Sequence, residues 1–118
     1  MNYNTMINIY HNPRCRKSRE GLAIVENSGK DFEVIKYLET PIDESQLKSV
    51  ISLLGISPME LVRKNEAIWK SDFKGKELSD TEIIKAMVDH PKLIERPIVI
   101  NGNVAVIGRP PEQILTII

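Results

Sequence analysis

The spacing of apolar residues predicts a short strand at Met6 to Tyr10 and a helix over about residues 16 to 28, where Leu22, Ala23, Ile24 and Val25 cluster. Gly29 then offers the left-handed residue that commonly ends a helix. Phe32 to Leu38 alternates loosely and is rich in β-branched and aromatic residues, so it reads as a second strand. Two strands joined by a helix make a βαβ unit with a parallel pair.

The next stretch has helical rather than strand periodicity. Asp43 and Gln46 have capping-box spacing, Ile42 and Leu47 stand where a hydrophobic staple forms, and Leu47, Val50, Ile51 and Leu54 fall on one helical face before Gly55. Ser57, Pro58 and Glu60 open a further short helix with Arg63 near its end. Ser79 and Glu82 repeat the box ahead of Ile83, Ile84, Met87 and Val88, and His90-Pro91 closes that helix. Residues 43 to 90 are therefore expected to be mostly helical.

Beyond them, Pro97 to Ile100 and Val104 to Ile107 flank Asn101-Gly102-Asn103, and the Asn-Gly pair predicts a tight hairpin turn. Gly108-Arg109-Pro110-Pro111 leads into an expected last helix that buries Ile114, Leu115, Ile117 and Ile118, with Pro110 as a helix-start residue. The order is βαβ, a helical insertion, then ββα. That order fits an α/β, thioredoxin-like fold: a four-stranded mixed sheet with flanking helices.

Length and charge narrow the function. A chain of 118 residues suits a single domain with its own core, residues 1–118. No apolar run approaches a membrane span, and sixteen basic residues balance sixteen acidic ones, so neither a membrane nor nucleic acid is expected as a partner. With one cysteine there is no internal disulfide, and the first residues lack a signal-peptide pattern, so the cytoplasm is the expected location. One cysteine and two separated histidines do not supply a usual zinc set, and no metal is expected.

The candidate chemistry lies in HNPRCRKSRE, residues 11 to 20. Cys15 falls at a strand-to-helix junction, where unpaired N–H groups and the helix dipole favour thiolate. Arg14, Arg16, Lys17 and Arg19 crowd the same loop and are expected to push its pKa down further. The alternative is a small buried thiol beside solvated cations. His11 can orient the cysteine or simply satisfy backbone groups at the strand end. Gly21 stands where a Cys-x5-Arg phosphatase loop needs arginine, and Ser18 where a dithiol motif needs its second cysteine. A covalent adduct on Cys15 must therefore be released by an outside thiol, such as glutathione, or by a disulfide-exchanging partner.

IYHNPRCRKSRE, KYLETP at 36 to 41, LVRKNE at 61 to 66, ERPIVING at 95 to 102 and IGRPPE at 107 to 112 together resemble the glutaredoxin-linked arsenate reductase (ArsC) family, in its arsenate-reductase-related branch. The resemblance spans nearly the whole chain and implies a thioredoxin-like fold with a helical insertion. It implies that Cys15 attacks arsenate, that Arg63, Arg96 and Arg109 bind the oxyanion, and that the Arg96–Pro97 bond is cis. His11, Ser18, Arg19 and Pro97 would support the loop. Guanidinium groups suit the task because they stay charged and grip oxyanions bidentately. Glutathione would be the co-substrate and glutaredoxin the partner of a monomer without bound cofactor. The family usually has Gly-Thr after the cysteine, whereas this chain has Arg16-Lys17.

Two other functions fit parts of the pattern. Cys15-x-x-Ser18 also suits a monothiol, glutaredoxin-like transferase that does not use the arginines on arsenate. A non-enzymatic, Spx-like regulator shares the expected fold, but Ser18 replaces the second cysteine of the switch such regulators typically carry.

Overall fold

Ile7, Ile9 and Val99 are wholly buried, and the strands that carry them form the centre of a four-stranded sheet. The computed structural model describes residues 6–118, and in it β1 (Ile7–Tyr10), β2 (Phe32–Ile35), β3 (Ile98–Asn101) and β4 (Val104–Ile107) lie in the order β2-β1-β3-β4. β1 pairs with β2 in parallel and with β3 antiparallel, and β3 with β4 antiparallel. Register aligns Val34, Ile9, Val99 and Val106 in one row and Phe32 with Ile7 in another. Directly paired residues share a face of the sheet, so these rows make a continuous apolar surface.

The crossover helix α1 (Arg16–Asn27) covers that surface. Its buried residues Ser18, Gly21 and Val25 follow spacings of three and four, one helical stripe. Val25 joins Ile7, Ile9, Val99 and Ile114 in the core, with Leu22 and Ile117 packed against them. Burial of each large aliphatic side chain contributes about 1.5–3 kcal/mol. At Gly21 there is no room for a side chain against the loop before β3: a Cβ there would meet Pro97 Cγ at 2.7 Å and Ile114 Cδ1 at 3.0 Å. A Cβ at Gly108 would meet the same two side chains, at 2.8 and 2.9 Å.

These elements belong to one compact unit, residues 6–40 together with Arg96–Ile118; Pro41–Glu95 forms a second. In the second unit the Asp43 and Ser79 caps form as the spacing predicts, opening α2 (Glu44–Leu54) and α4 (Asp80–Asp89), which pack on each other. Gly55 ends α2 at φ +68°, a left-handed position that glycine occupies without a Cβ clash. A shorter α3 (Ala67–Asp72) buries Trp69. No helix among the described residues is long and apolar enough to cross a membrane.

Four local expectations change. β2 stops at Ile35 rather than Leu38, because the Glu39 and Thr40 N–H groups bond back to the Lys36 carbonyl and turn the chain. Pro58–Leu61 and Pro111–Thr116 are 3-10 helices, not α-helices. In the second of these, Ile114 and the C-cap residue Ile117 lie three apart, the interval at which a 3-10 turn stacks side chains on one face, and both pack into the core. The hairpin loop is Gly102-Asn103, since Asn101 pairs with Val104; Gly102, at φ +65°, takes the first central position, the type II′ choice.

Candidate active site

The loop that carries the cysteine is built by a turn. Asn12-Pro13-Arg14-Cys15 closes with the Cys15 N–H donating to the Asn12 carbonyl at 3.0 Å, and the Arg14 N–H donates to Asn12 Oδ1 at 3.0 Å. Proline presets the second turn position, and an asparagine side chain bonds the backbone two residues on, so Asn-Pro is itself a local turn signal. Cys15 then becomes the N-cap of α1, half-buried, with its thiol free of any disulfide.

Burial pushes the Cys15 thiol up, but the Ser18 N–H, the Arg96 guanidinium by hydrogen bond and charge, and the Lys17 N–H together hold it below the usual thiol value. The sulfur makes no close capping bond, so it feels the first-turn N–H groups as a field more than as one tight contact. The cations flanking it in sequence are not what stabilises it. Arg16 and Lys17 extend toward Glu20 at 3.8 and 3.7 Å, and Arg19 donates to the Pro13 carbonyl at 3.0 Å. Helical geometry turns those side chains outward along α1, and the decisive cation comes from 81 positions away, by the difference between 96 and 15. Arg19 thus braces the loop rather than the thiol.

Ser18 and His11 form the buried support. Ser18 Oγ, wholly buried, accepts the Asn12 N–H at 3.0 Å and lies 2.7 Å from His11 Nδ1. Burial, then the Lys36 charge, with Arg19 adding, keep His11 below the ordinary imidazole value; a backbone contact at Ser18 and the Glu26 charge oppose them. His11 Nδ1 and the Ser18 hydroxyl share one hydrogen bond, whose donor is set by the imidazole tautomer.

Arg96 is buried, and the Arg96–Pro97 peptide bond is cis, as the resemblance implied. Arg109–Pro110 is cis as well, and Pro110 precedes the 3-10 helix rather than opening an α-helix. Exposed Arg109 reaches back to donate from Nη1 to the Arg96 carbonyl at 3.2 Å. Two guanidinium-bearing loops, before β3 and after β4, therefore meet beside the thiol's partner. Arg63 lies in the second unit, where its N–H donates to the Leu93 carbonyl at 2.7 Å and its Nε stands 3.8 and 3.7 Å from Glu66 and Glu95. Its Nη1 is buried and has no hydrogen-bond partner among the described residues, an expensive state for a charged donor.

A family model described as the ArsC family matches residues 10–117. The chain belongs to the ArsC family. It is 45% identical over 112 residues to the arsenate reductase of Haemophilus influenzae, covering 93% of this chain and 97% of that protein. It is 48% identical over 114 residues to the uncharacterized protein YfgD of Escherichia coli K12, covering 95% and 96% of the two chains. The solved arsenate reductase of Vibrio cholerae superposes with a TM-score of 0.92 at 45% identity, covering 98% of this ArsC chain and 100% of that one. The fold is thus the thioredoxin-like sheet of ArsC structures.

Proposed function

We propose that the protein is an oxidoreductase that reduces arsenate to arsenite, with Cys15 as nucleophile. The observation that carries this reading is the Arg96 guanidinium on the Cys15 sulfur, with Arg109 tied to the Arg96 carbonyl. One cation thereby favours thiolate and sits where an oxyanion must arrive to be attacked. Relatives that carry the name arsenate reductase support the substrate class.

Cys15 thiolate displaces one oxygen of arsenate, which leaves as water, and an S–As(V) bond forms. Glutathione thiolate then attacks Cys15 Sγ; the S–As bond breaks with its electron pair going to arsenic, and arsenite departs as As(III). The two electrons come from the two sulfurs, which remain joined as a mixed disulfide. Glutaredoxin thiolate attacks the glutathione sulfur, and Cys15 leaves as thiolate, a departure its depressed pKa favours. Arg96 and Arg109 hold the anion, and Arg63 is proposed as the third oxyanion-binding arginine that the family resemblance implies.

The test is arsenate-dependent NADPH consumption with glutathione, glutaredoxin and glutathione reductase. Activity that disappears in Cys15→Ser and falls at least tenfold in Arg96→Ala is expected. A folded protein indistinguishable from Cys15→Ser would sink the assignment. A simple monothiol transferase would instead keep its glutathione exchange in Arg96→Ala and show no arsenate dependence.

A further inference from the structure

Asn101-Gly102 is the one Asn-Gly pair in the chain, and the hairpin draws on it for backbone shape. The asparagine side chain has a separate task. Asn101 is half-buried at the end of β3, and its Nδ2 donates to the Ile117 carbonyl, sixteen positions away, at 2.6 Å. A carbonyl only accepts, so the bond fixes which end of the amide faces it. Ile117 caps the last 3-10 turn, where carbonyls lack partners within the helix, and its own N–H bonds back to the Ile114 carbonyl. The amide thus latches the turn that seats Ile114 in the core to the last residue of β3.

A carboxylate in place of that amide would remove the donor and set two acceptors against each other. The same dipeptide carries the chemistry for the change. The ladder closes at the Asn101–Val104 pair, so the Gly102 N–H lies outside it, and it makes no hydrogen bond among the described residues. Gly102 and Asn103 are exposed to water, and glycine puts no Cβ beside its own nitrogen. The other described asparagines differ at this point. Asn12 precedes Pro13, which has no N–H, Asn8 sits within β1, and Asn27, Asn65 and Asn103 precede Ser28, Glu66 and Val104, each of which carries a Cβ.

We propose that Asn101 is a site of spontaneous deamidation and that the modification unlatches the C-terminal turn. The Gly102 nitrogen, on losing its proton to water, bonds to Asn101 Cγ; the Cγ–Nδ2 bond breaks and Nδ2 leaves as ammonia, giving a cyclic imide. Water then adds to either imide carbonyl and opens the ring, leaving an aspartate or an isoaspartate. The net change converts an amide and water into a carboxylate and ammonium, with no transfer of electrons. Neither product donates to the Ile117 carbonyl at neutral pH, and isoaspartate also adds a carbon to the backbone where Asn101 pairs with Val104. The hydrogen bond restrains the amide while it lasts, so the reaction proceeds from molecules whose last turn has opened. Each product then keeps it open.

The full-length protein is held at mildly alkaline pH and physiological temperature for weeks and sampled by peptide mapping. Asn101 is expected to gain about 1 Da at least tenfold faster than Asn27 or Asn65. The modified fraction, separated by anion exchange through its extra negative charge, is expected to melt about 4 °C lower than the parent. Its Ile117 amide hydrogen should exchange at least tenfold faster, while the amides of β1 and α1 keep their protection. Asn101→Asp, made directly, should reproduce both changes without ageing, and Asn101→Ala should lose the latch without gaining mass. Modification of Asn101 no faster than that of Asn27, or a modified fraction that melts and exchanges like the parent, would overturn the proposal.

Discussion

Ser18 Oγ sits 2.7 Å from His11 Nδ1, and the same oxygen accepts the Asn12 N–H, so one buried hydroxyl ties the end of β1 to the first turn of α1. The position that holds a second thiol in a dithiol motif here holds the structural pin of the cysteine loop.

Ser18→Ala removes both bonds and leaves the Asn12 N–H buried without an acceptor. The expected loss is about 1–3 kcal/mol of stability, measured by urea denaturation. A loss below the error of that measurement would mean that water replaces the hydroxyl or that the loop relaxes.

His11 contributes a pH dependence of definite sign. Its pKa is lowered in the folded protein, so in the window below the ordinary imidazole value, about 6.5, the unfolded chain takes up a proton before the folded one does. Stability is therefore expected to fall as pH drops through that window and to be unaffected by His11 above it. Denaturation of wild type and His11→Gln across the range should show a shallower acid limb in the variant.

Arg96 acts on Cys15 with the opposite proton chemistry. The thiol pKa is depressed, so the thiolate contribution is complete above the ordinary thiol value and is lost as pH falls through the lower, folded one. Arg96→Ala should move the thiolate absorbance titration upward and slow alkylation at neutral pH several-fold, while Arg16→Ala and Lys17→Ala leave both nearly unchanged. Equal effects from the flanking residues would restore the cationic-flank explanation.

Gly21→Ala places a methyl group 2.7 Å from Pro97 Cγ, inside any normal contact. Overpacking of this kind costs about 1–3 kcal/mol. Because Pro97 adjoins Arg96, thermal denaturation should show the loss and thiol alkylation should slow with it. An alanine variant as stable as wild type would show that the loop before β3 yields freely.

Those residues mark where sequence reading succeeded and where it stopped. The caps at Asp43 and Ser79, the glycine stop at Gly55 and the junction at Cys15 depend on neighbours within a few positions, and each stands as the spacing predicts. The end of β2, the two 3-10 helices and the Gly102-Asn103 loop depend on a balance of short hydrogen bonds that composition does not settle. The Asn12-Pro13 turn belongs with the local features, since its signal lies within three residues. Nothing local in the chain signals that Gly21 must be small for Pro97 and Ile114.

By itself the amino-acid order determined the run of strands and helices, the single nucleophile and its place at a helix start, because periodicity, caps and turns act over the length of one helical turn. Tertiary structure alone decided which cation holds the thiolate. Arg16 and Lys17 are adjacent in the chain yet are swung away by the 3.6-residue rotation of α1, whereas antiparallel pairing of β1 with β3 carries Arg96 to the sulfur. Charge acts through distance in space, and only the folded sheet sets that distance.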